Sequence, residues 1–545
     1  MGLSMEPERA RNIASLVLRH ADTLPDATAL VLPMLGATGE HLGDVRVTFE
    51  ELARRVNAYR RGLVAEGFVP GDRIVMMFPV SVELYALTLA MFAQGLVAVL
   101  VDTGMGPVRV VQALEDARAR ALVTVPALVR SRWVLPPLWR FRIYVTGKRR
   151  TPEPRTRPVS QLERSGSAPP PPQDVRGGEH ALITFTSGAT GRPQGAGRTH
   201  SLLIAQHRAL ADQFPNRPGA VEATCFPAVA LHNLCSGIPT VLAAVDLRKP
   251  ASLEPTQVVR QLTREGATRL TAAPAFASKL VDHILAQDAR IPSLEFVGVG
   301  GGPVPPELCS RILRALPGVH AEVLYACAEA EPISSVPMRE VVEAQGAGLL
   351  VGRAASAATI ALVDLPERSP PMDQRGLTPY EVERGAIGEV VVAGDHVHRG
   401  YIDNPEANRR SKLYEPRGRV WHRTGDMGYV DDEGRLWLVG RVQDVVRHRG
   451  RTLYPLALER HLDEIPGIER AAIVQRVHIH QGLVVVQLAP GVGLEEVRWR
   501  IEGALEVRGY DPAMDLRAVP EIPLDRRHKA KIDRVTLRLW FSVMW

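Results

Sequence analysis

Short β-rich runs that end at glycine or proline and abut amphipathic helical patterns recur along this chain, and that alternation restricts the fold more than any other feature. The segment TFEELARRVNAYRRGLVAEGFVPGDRIVMMFP, from residue 48, places Thr48 as a helix N-cap with Glu51 three residues on, then an amphipathic helix, a glycine-proline-glycine turn and a strand. EPTQVVRQLTREGATRLTAAP and PSLEFVGVGGGPVPPELCSRILRAL continue the theme. Such α/β units predict largely parallel sheets with ligands at the strand ends. At 545 residues the chain exceeds what one hydrophobic core fills and predicts roughly two to four domains or subdomains.

After about residue 385 the texture changes to hairpin-like runs, GAIGEVVVAGDHVHRGY and RTGDMGYVDDEGRLWLVGRVQDVV, and a small α+β tail begins near GRVQDVV. The expected architecture is α/β: a large multi-subdomain N-terminal domain over residues 1–441, with stacked, mostly parallel sheets and a small β-barrel-like part, and a small mobile α+β domain over 442–545. No internal repeat is visible. LYALTLAMFAQGLVAVLV, residues 84–101, is nearly long enough to span a bilayer, but Gln94-Gly95 interrupts it and the β-branched end reads as a buried strand after a buried helix.

Composition excludes several classes. With 45% apolar and 23% charged residues the chain is neither disordered nor fibrous. Its four cysteines lack CxxC spacing, which argues against a zinc site or disulfide scaffold and for a reducing compartment. No signal peptide is read at the N-terminus, so the expected location is the cytoplasm. The net charge of +6 is spread along the chain without an aromatic-basic motif, so no nucleic-acid partner is expected. The densest basic stretch, residues 136–158, reads as an exposed, proline-rich excursion. His478 and His480 share a strand face, but no third ligand accompanies them and no metal site is assigned there.

The stretch TFTSGATGRPQGAGRTH, residues 184–200, satisfies neither the Walker pattern nor GxGxxG. It offers hydroxyls at Thr186, Ser187 and Thr190, close backbone approach at Gly188, Gly191, Gly195 and Gly197, and positive charge at Arg192 and Arg198. Alone, it suits a flexible surface turn as well as a phosphate cradle.

Other blocks accompany it in a fixed order: GGGPVP at 300–305, LYACAEAEP at 324–332, GEVVVAG, WHRTGD, GRVQD, YPLALE and a late HKAKIDR. Together they resemble the adenylate-forming superfamily of acyl-CoA synthetases, peptide-synthetase adenylation domains and luciferases, over about residues 15–540. VLVDTGMG, ALHNLCSGIPTV, AEAEP and DRRHKAKIDR look most like the β-lactone synthetases of bacterial long-chain olefin biosynthesis.

The resemblance implies ATP-dependent activation of a fatty acid as acyl-AMP, with Mg²⁺, followed by closure of a 2-alkyl-3-hydroxy acid to a β-lactone. In the alternative coenzyme A attacks, giving a thioester; a degenerate nucleotide-binding regulator is a reading of another class. It also implies roles. The loop from Thr186 to Gly197 would hold the β- and γ-phosphates, Gly301, Gly302 and Pro303 would flank adenine, and Tyr325 would stack on it. Glu329 would help hold Mg²⁺, Asp426 would accept the ribose hydroxyls, and Arg441 would reach the nucleotide. Lys531 would neutralise the carboxylate and α-phosphate oxygens as they meet, and Gln443-Asp444 would form the hinge. His232 matches a position bordering the acyl pocket, or is simply a satisfied buried histidine. Assembly with other enzymes of a lipid pathway is also implied. Outside the family pattern, a tyrosine near a strand end is ordinarily core, an aspartate in TGD a turn residue, and a near-terminal lysine solvated.

Three departures stand out: Gln194 where the family has lysine, Ala326 where it has glycine, and Ala328 where it has threonine. Losing a charged phosphate contact costs about 1.5–3 kcal/mol unless Arg192 or Arg198 takes it over.

Overall fold

Strand pairing carries the α/β alternation into two large sheets. The computed structural model describes residues 11–36, 40–131, 135–147, 156–166, 168–186, 192–246, 252–476, 481–524 and 532–542. In the seven-stranded sheet the order is Thr156–Pro158, Arg142–Val145, Ala121–Thr124, Arg73–Met77, Val97–Val101, His180–Thr186 and Gln194–Thr199. All pairs are parallel except the last.

The 14-stranded sheet has a parallel core made of Thr28–Leu35, Thr240–Leu242, Glu222–Thr224, Arg269–Ala272, Phe296–Gly300 and His320–Cys327. From Ala330–Pro337 the pairing turns antiparallel and passes through Leu349–Ala354, Leu436–Arg441, Val420–Val430 and Gly388–Ala393 to Thr359–Val363. The antiparallel pairing therefore starts earlier than the hairpin texture noted from residue 385, at the turn between His320–Cys327 and Ala330–Pro337.

Local signals placed many elements. Thr48 caps helix Phe49–Ala65, its side chain accepting from Glu51 N while the Glu51 carboxylate accepts from Thr48 N. The apolar stretch at 84–101 folds as helix Val82–Ala93, a turn at Gly95 and strand Val97–Val101, nearly all of it buried. No helix among the described residues is long and apolar enough to cross a membrane.

One part of the basic stretch departs from its reading as an exposed excursion, while residues 148–155 of it lie outside the described residues. Arg142–Val145 is an interior strand with Tyr144 fully buried. Glu66 gathers part of the charge: Tyr144 Oη donates to Glu66 Oε2 at 2.8 Å, and Arg142, Arg157 and, beyond the stretch, Arg164 pair with the same carboxylate. Arg142 also lies 5.6 Å over the Phe68 ring.

The small C-terminal domain has its own core. Strands Ile468–Arg476, Gln481–Leu488 and Asp515–Val519 form one sheet, packed by helices Pro455–Asp463, Leu494–Val507 and Arg534–Ser542. Its apolar clusters, built on Val446, Leu458, Ile473, Val484, Ile501 and Leu537, share no member with those of the larger domain.

Candidate active site

Strands Val420–Val430 and Leu436–Arg441 pair so that Asp426 stands opposite Arg441. Arg441 Nε lies 2.9 Å from Asp426 Oδ1. The other oxygen accepts a 2.6 Å hydrogen bond from Tyr325 Oη, on strand His320–Cys327 of the same sheet. Asp426 is 8% exposed, whereas nearly half of the Arg441 side chain faces solvent. The neighbouring carboxylate raises the Arg441 pKa. Burial and then the Asp426 charge hold the Tyr325 phenol well above its ordinary range, so it stays a donor. A fixed carboxylate beside a partly free guanidinium can accept vicinal hydroxyls and attract an anion.

Glu329 lies between the same strand and its antiparallel neighbour. Its Oε1 accepts a 2.7 Å bond from Tyr401 Oη, and its Oε2 faces His422 Nε2 at 3.9 Å. The donor atoms of Cys327, Glu329 and His422 come within 4.8 Å of one another. Glu329 brings the hard oxygen that Mg²⁺ prefers; the thiol and imidazole suit softer ions. Lys412, 1% exposed, sets its Nζ on the His398 carbonyl and 3.1 Å from His422 Nδ1. Burial pulls the Lys412 ammonium down to about 8, with Glu329 opposing, and burial and Lys412 drive His422 well below its usual value.

The remaining sequence candidates divide. Ser187, Gly188, Thr190, Gly191 and Lys531 lie outside the described residues, as do His478 and His480; Thr186 ends strand His180–Thr186, paired with Gln194. Arg192 is exposed and faces Asp116 at 3.7 Å. Arg198 is committed inward, donating to Thr184 Oγ1 at 2.8 Å and to the Ala328 carbonyl at 2.5 Å. Burial lowers its pKa, while Glu329 and Glu331 oppose that shift. Gly195 and Gly197 sit within strand Gln194–Thr199. At Gly197 a Cβ would fall 2.6 Å from Ile402 Cδ1 and 2.8 Å from the His180 ring, so close packing alone accounts for that glycine.

Gly301, at φ +79°, begins the turn through Gly302 and Pro303 after strand Phe296–Gly300, next to the Tyr325 strand and against Phe226. Phe226 caps helix Pro227–Ser236, which bears His232. His232 Nδ1 is 3.1 Å from His207 Nδ1, and burial brings the two imidazoles down to about 3 and about 4. Two facing Nδ1 atoms require opposite protonation, one donor and one acceptor. Gln443 and Asp444 lie on the turn Val442–Asp444. Arg538 Nη2 donates to the Gln443 carbonyl at 3.0 Å, and Arg534 Nε is 3.3 Å from Asp444 Oδ2.

Sequence reading missed Tyr401, His422 and Lys412. His422 was within the WHRTGD block and Tyr401 ends HVHRGY, but a lysine in NRRSKLY carries no local signal.

A family model described as AMP-binding enzyme matches residues 17–402. Two relatives named olefin beta-lactone synthetase, from Xanthomonas campestris and Stenotrophomonas maltophilia, are 31% and 30% identical, covering 97% and 98% of this chain and the same shares of their own. The solved structure of ATP-bound MatB from Rhodopseudomonas palustris superposes with TM-score 0.78 at 22% identity, covering 98% of this chain and 99% of that one.

Proposed function

Since the chain belongs to the AMP-binding enzyme family, we propose that it activates a 2-alkyl-3-hydroxy fatty acid with ATP and closes it to a β-lactone. The substrate carboxylate attacks the α-phosphorus and pyrophosphate leaves. The 3-hydroxyl oxygen then bonds to the acyl carbon, its proton passes to solvent or a base, and AMP departs with the electrons of the cleaved acyl–phosphate bond. The observation that carries this reading is Asp426 held between Tyr325 and Arg441. Such a carboxylate orients a ribose, and the family's chemistry is positioning plus charge stabilisation. The olefin beta-lactone synthetase relatives support the choice of lactone over thioester.

Residue roles follow. Asp426 takes the ribose hydroxyls, Tyr325 and the turn Gly301-Gly302-Pro303 flank the base, and Arg441 approaches the nucleotide. Glu329 fits Mg²⁺ as an oxygen ligand; when bound, the ion screens the phosphate charge. Thr186, Ser187, Gly188, Thr190, Gly191 and Gly195 line the phosphate loop, and Lys531 serves the first half-reaction. We divide the chain at residue 441, with the C-terminal domain rotating about Gln443-Asp444 between half-reactions. His232 borders the acyl pocket. Four free thiols suit a reducing compartment, and we place the reaction in the cytoplasm, alongside other lipid-pathway enzymes.

Product analysis with Mg-ATP and a long-chain 2-alkyl-3-hydroxy acid tests the proposal. AMP and lactone formed without coenzyme A are expected. A product only with coenzyme A would identify a thioester-forming ligase, and nucleotide binding without AMP formation would identify a regulator.

A further inference from the structure

Lys412 is an anomaly of the interior. Its ammonium is 1% exposed, and among the described residues no carboxylate pairs with it directly. A buried charge of this kind is costly unless its hydrogen bonds are used. Those bonds run to the His398 carbonyl and to His422 Nδ1, while the Tyr401 ring lies 5.8 Å below the ammonium.

The ammonium has protons to give and no lone pair to offer. It therefore selects the imidazole form in which Nδ1 accepts and Nε2 carries the proton. The Ser411 carbonyl, 3.2 Å from the same Nδ1, favours the opposite form. A bond from a charged donor is roughly twice as strong as a neutral one, so the lysine prevails. The proton on Nε2 then lies on the side of Glu329 Oε2, whose 3.9 Å separation is too long for a direct hydrogen bond and makes the contact one of dipole and charge, while Tyr401 holds Oε1. The ring closes through the backbone: His398 N donates to the Glu329 carbonyl at 2.7 Å, and Lys412 grips the His398 carbonyl. Without Lys412, Nδ1–H would turn to Ser411, and a lone pair on Nε2 would face a carboxylate.

We infer that Lys412 is a positioning residue: by fixing the protonated nitrogen of His422 it holds the Glu329 carboxylate in the orientation that nucleotide activation uses. The functional half of this statement rests on the adenylating reading; the imidazole half does not.

Lys412→Met and the conservative Lys412→Arg are compared with wild type by two measurements. Nitrogen NMR of histidine-labelled protein, with His422→Gln for assignment, is expected to show protonated Nε2 in wild type and protonated Nδ1 in Lys412→Met, with Lys412→Arg retaining the wild-type form. ATP-dependent AMP formation as a function of Mg²⁺ is expected to show the half-saturating Mg²⁺ of Lys412→Met raised about tenfold or more, because partners behind a ligand commonly carry that much. The same nitrogen protonated in wild type and folded Lys412→Met, or an unchanged Mg²⁺ dependence in a wild type that forms AMP, would overturn the inference. If Lys412→Met does not fold, Lys412→Leu, which likewise has no donor, replaces it, with the same readouts and the same two deciding outcomes. Should wild type form no AMP, the adenylating reading fails, and the nitrogen measurement alone decides the fate of the Lys412–His422 link.

Discussion

Two carboxylates of this molecule share one motif and end differently. Asp426 accepts from Tyr325 at 2.6 Å, and Glu329 accepts from Tyr401 at 2.7 Å. The second oxygen of Asp426 meets Arg441, a guanidinium nearly half exposed; that of Glu329 meets His422 and, behind it, a fully buried lysine. A half-exposed ion pair contributes little to stability and can be exchanged for a ligand, whereas parting a buried set leaves an uncompensated charge. The open corner is suited to trading partners and the closed one to holding its shape.

Removing the open corner should give the largest effect. Asp426→Ala deletes an acceptor of two charge-assisted hydrogen bonds, each of about 1.5–3 kcal/mol, so AMP affinity should fall by about two orders of magnitude or more. Calorimetric titration checks this, and a near-wild-type affinity would remove Asp426 from the nucleotide site.

Acid should strain the closed corner more than the open one. Burial lowers the His398 pKa from 6.5 to about 2, and among the described residues neither ring nitrogen has a hydrogen-bond partner. The unfolded chain therefore binds a proton below pH 6.5 that the folded chain refuses, so stability is full above 6.5 and declines as pH falls. At about 1.4 kcal/mol per pH unit, His398 alone costs about 2 kcal/mol between pH 6.5 and 5. Denaturant unfolding of His398→Gln should show a slope shallower by that amount; an identical slope would mean that the imidazole is solvated.

The smallest effect sharpens the comparison itself. Tyr401→Phe and Tyr325→Phe each delete one phenol donor, but Arg441 remains to serve Asp426. Tyr401→Phe should lower folding stability by about 1 kcal/mol more than Tyr325→Phe, a difference legible in paired urea midpoints. Equal losses would show the two corners to be equally closed.

Much of the open corner was legible because its residues sit in short blocks: Tyr325 in LYACAEAEP, Asp426 in WHRTGD, Arg441 in GRVQD. Gln194 and the two arginines were harder. Arg198 read as a phosphate contact, yet its guanidinium spans Thr184 and the Ala328 backbone, a link between sheets that no spacing announces. The basic run at 136–158 misled in part for a related reason: Glu66, far away in sequence, pairs with Arg142 and Arg157 of it.

The α/β alternation, the Thr48 cap, the buried helix and strand at 84–101 and the family to which the chain belongs could all be read from the order of residues. These depend on periodicity and on residues close together in the chain. Tertiary structure alone decided the surroundings of Glu329. Residues 329, 398, 401, 412 and 422 meet there from different segments, and a lysine's cost or use is set by the dielectric and the donors around it, which exist only once those segments pack.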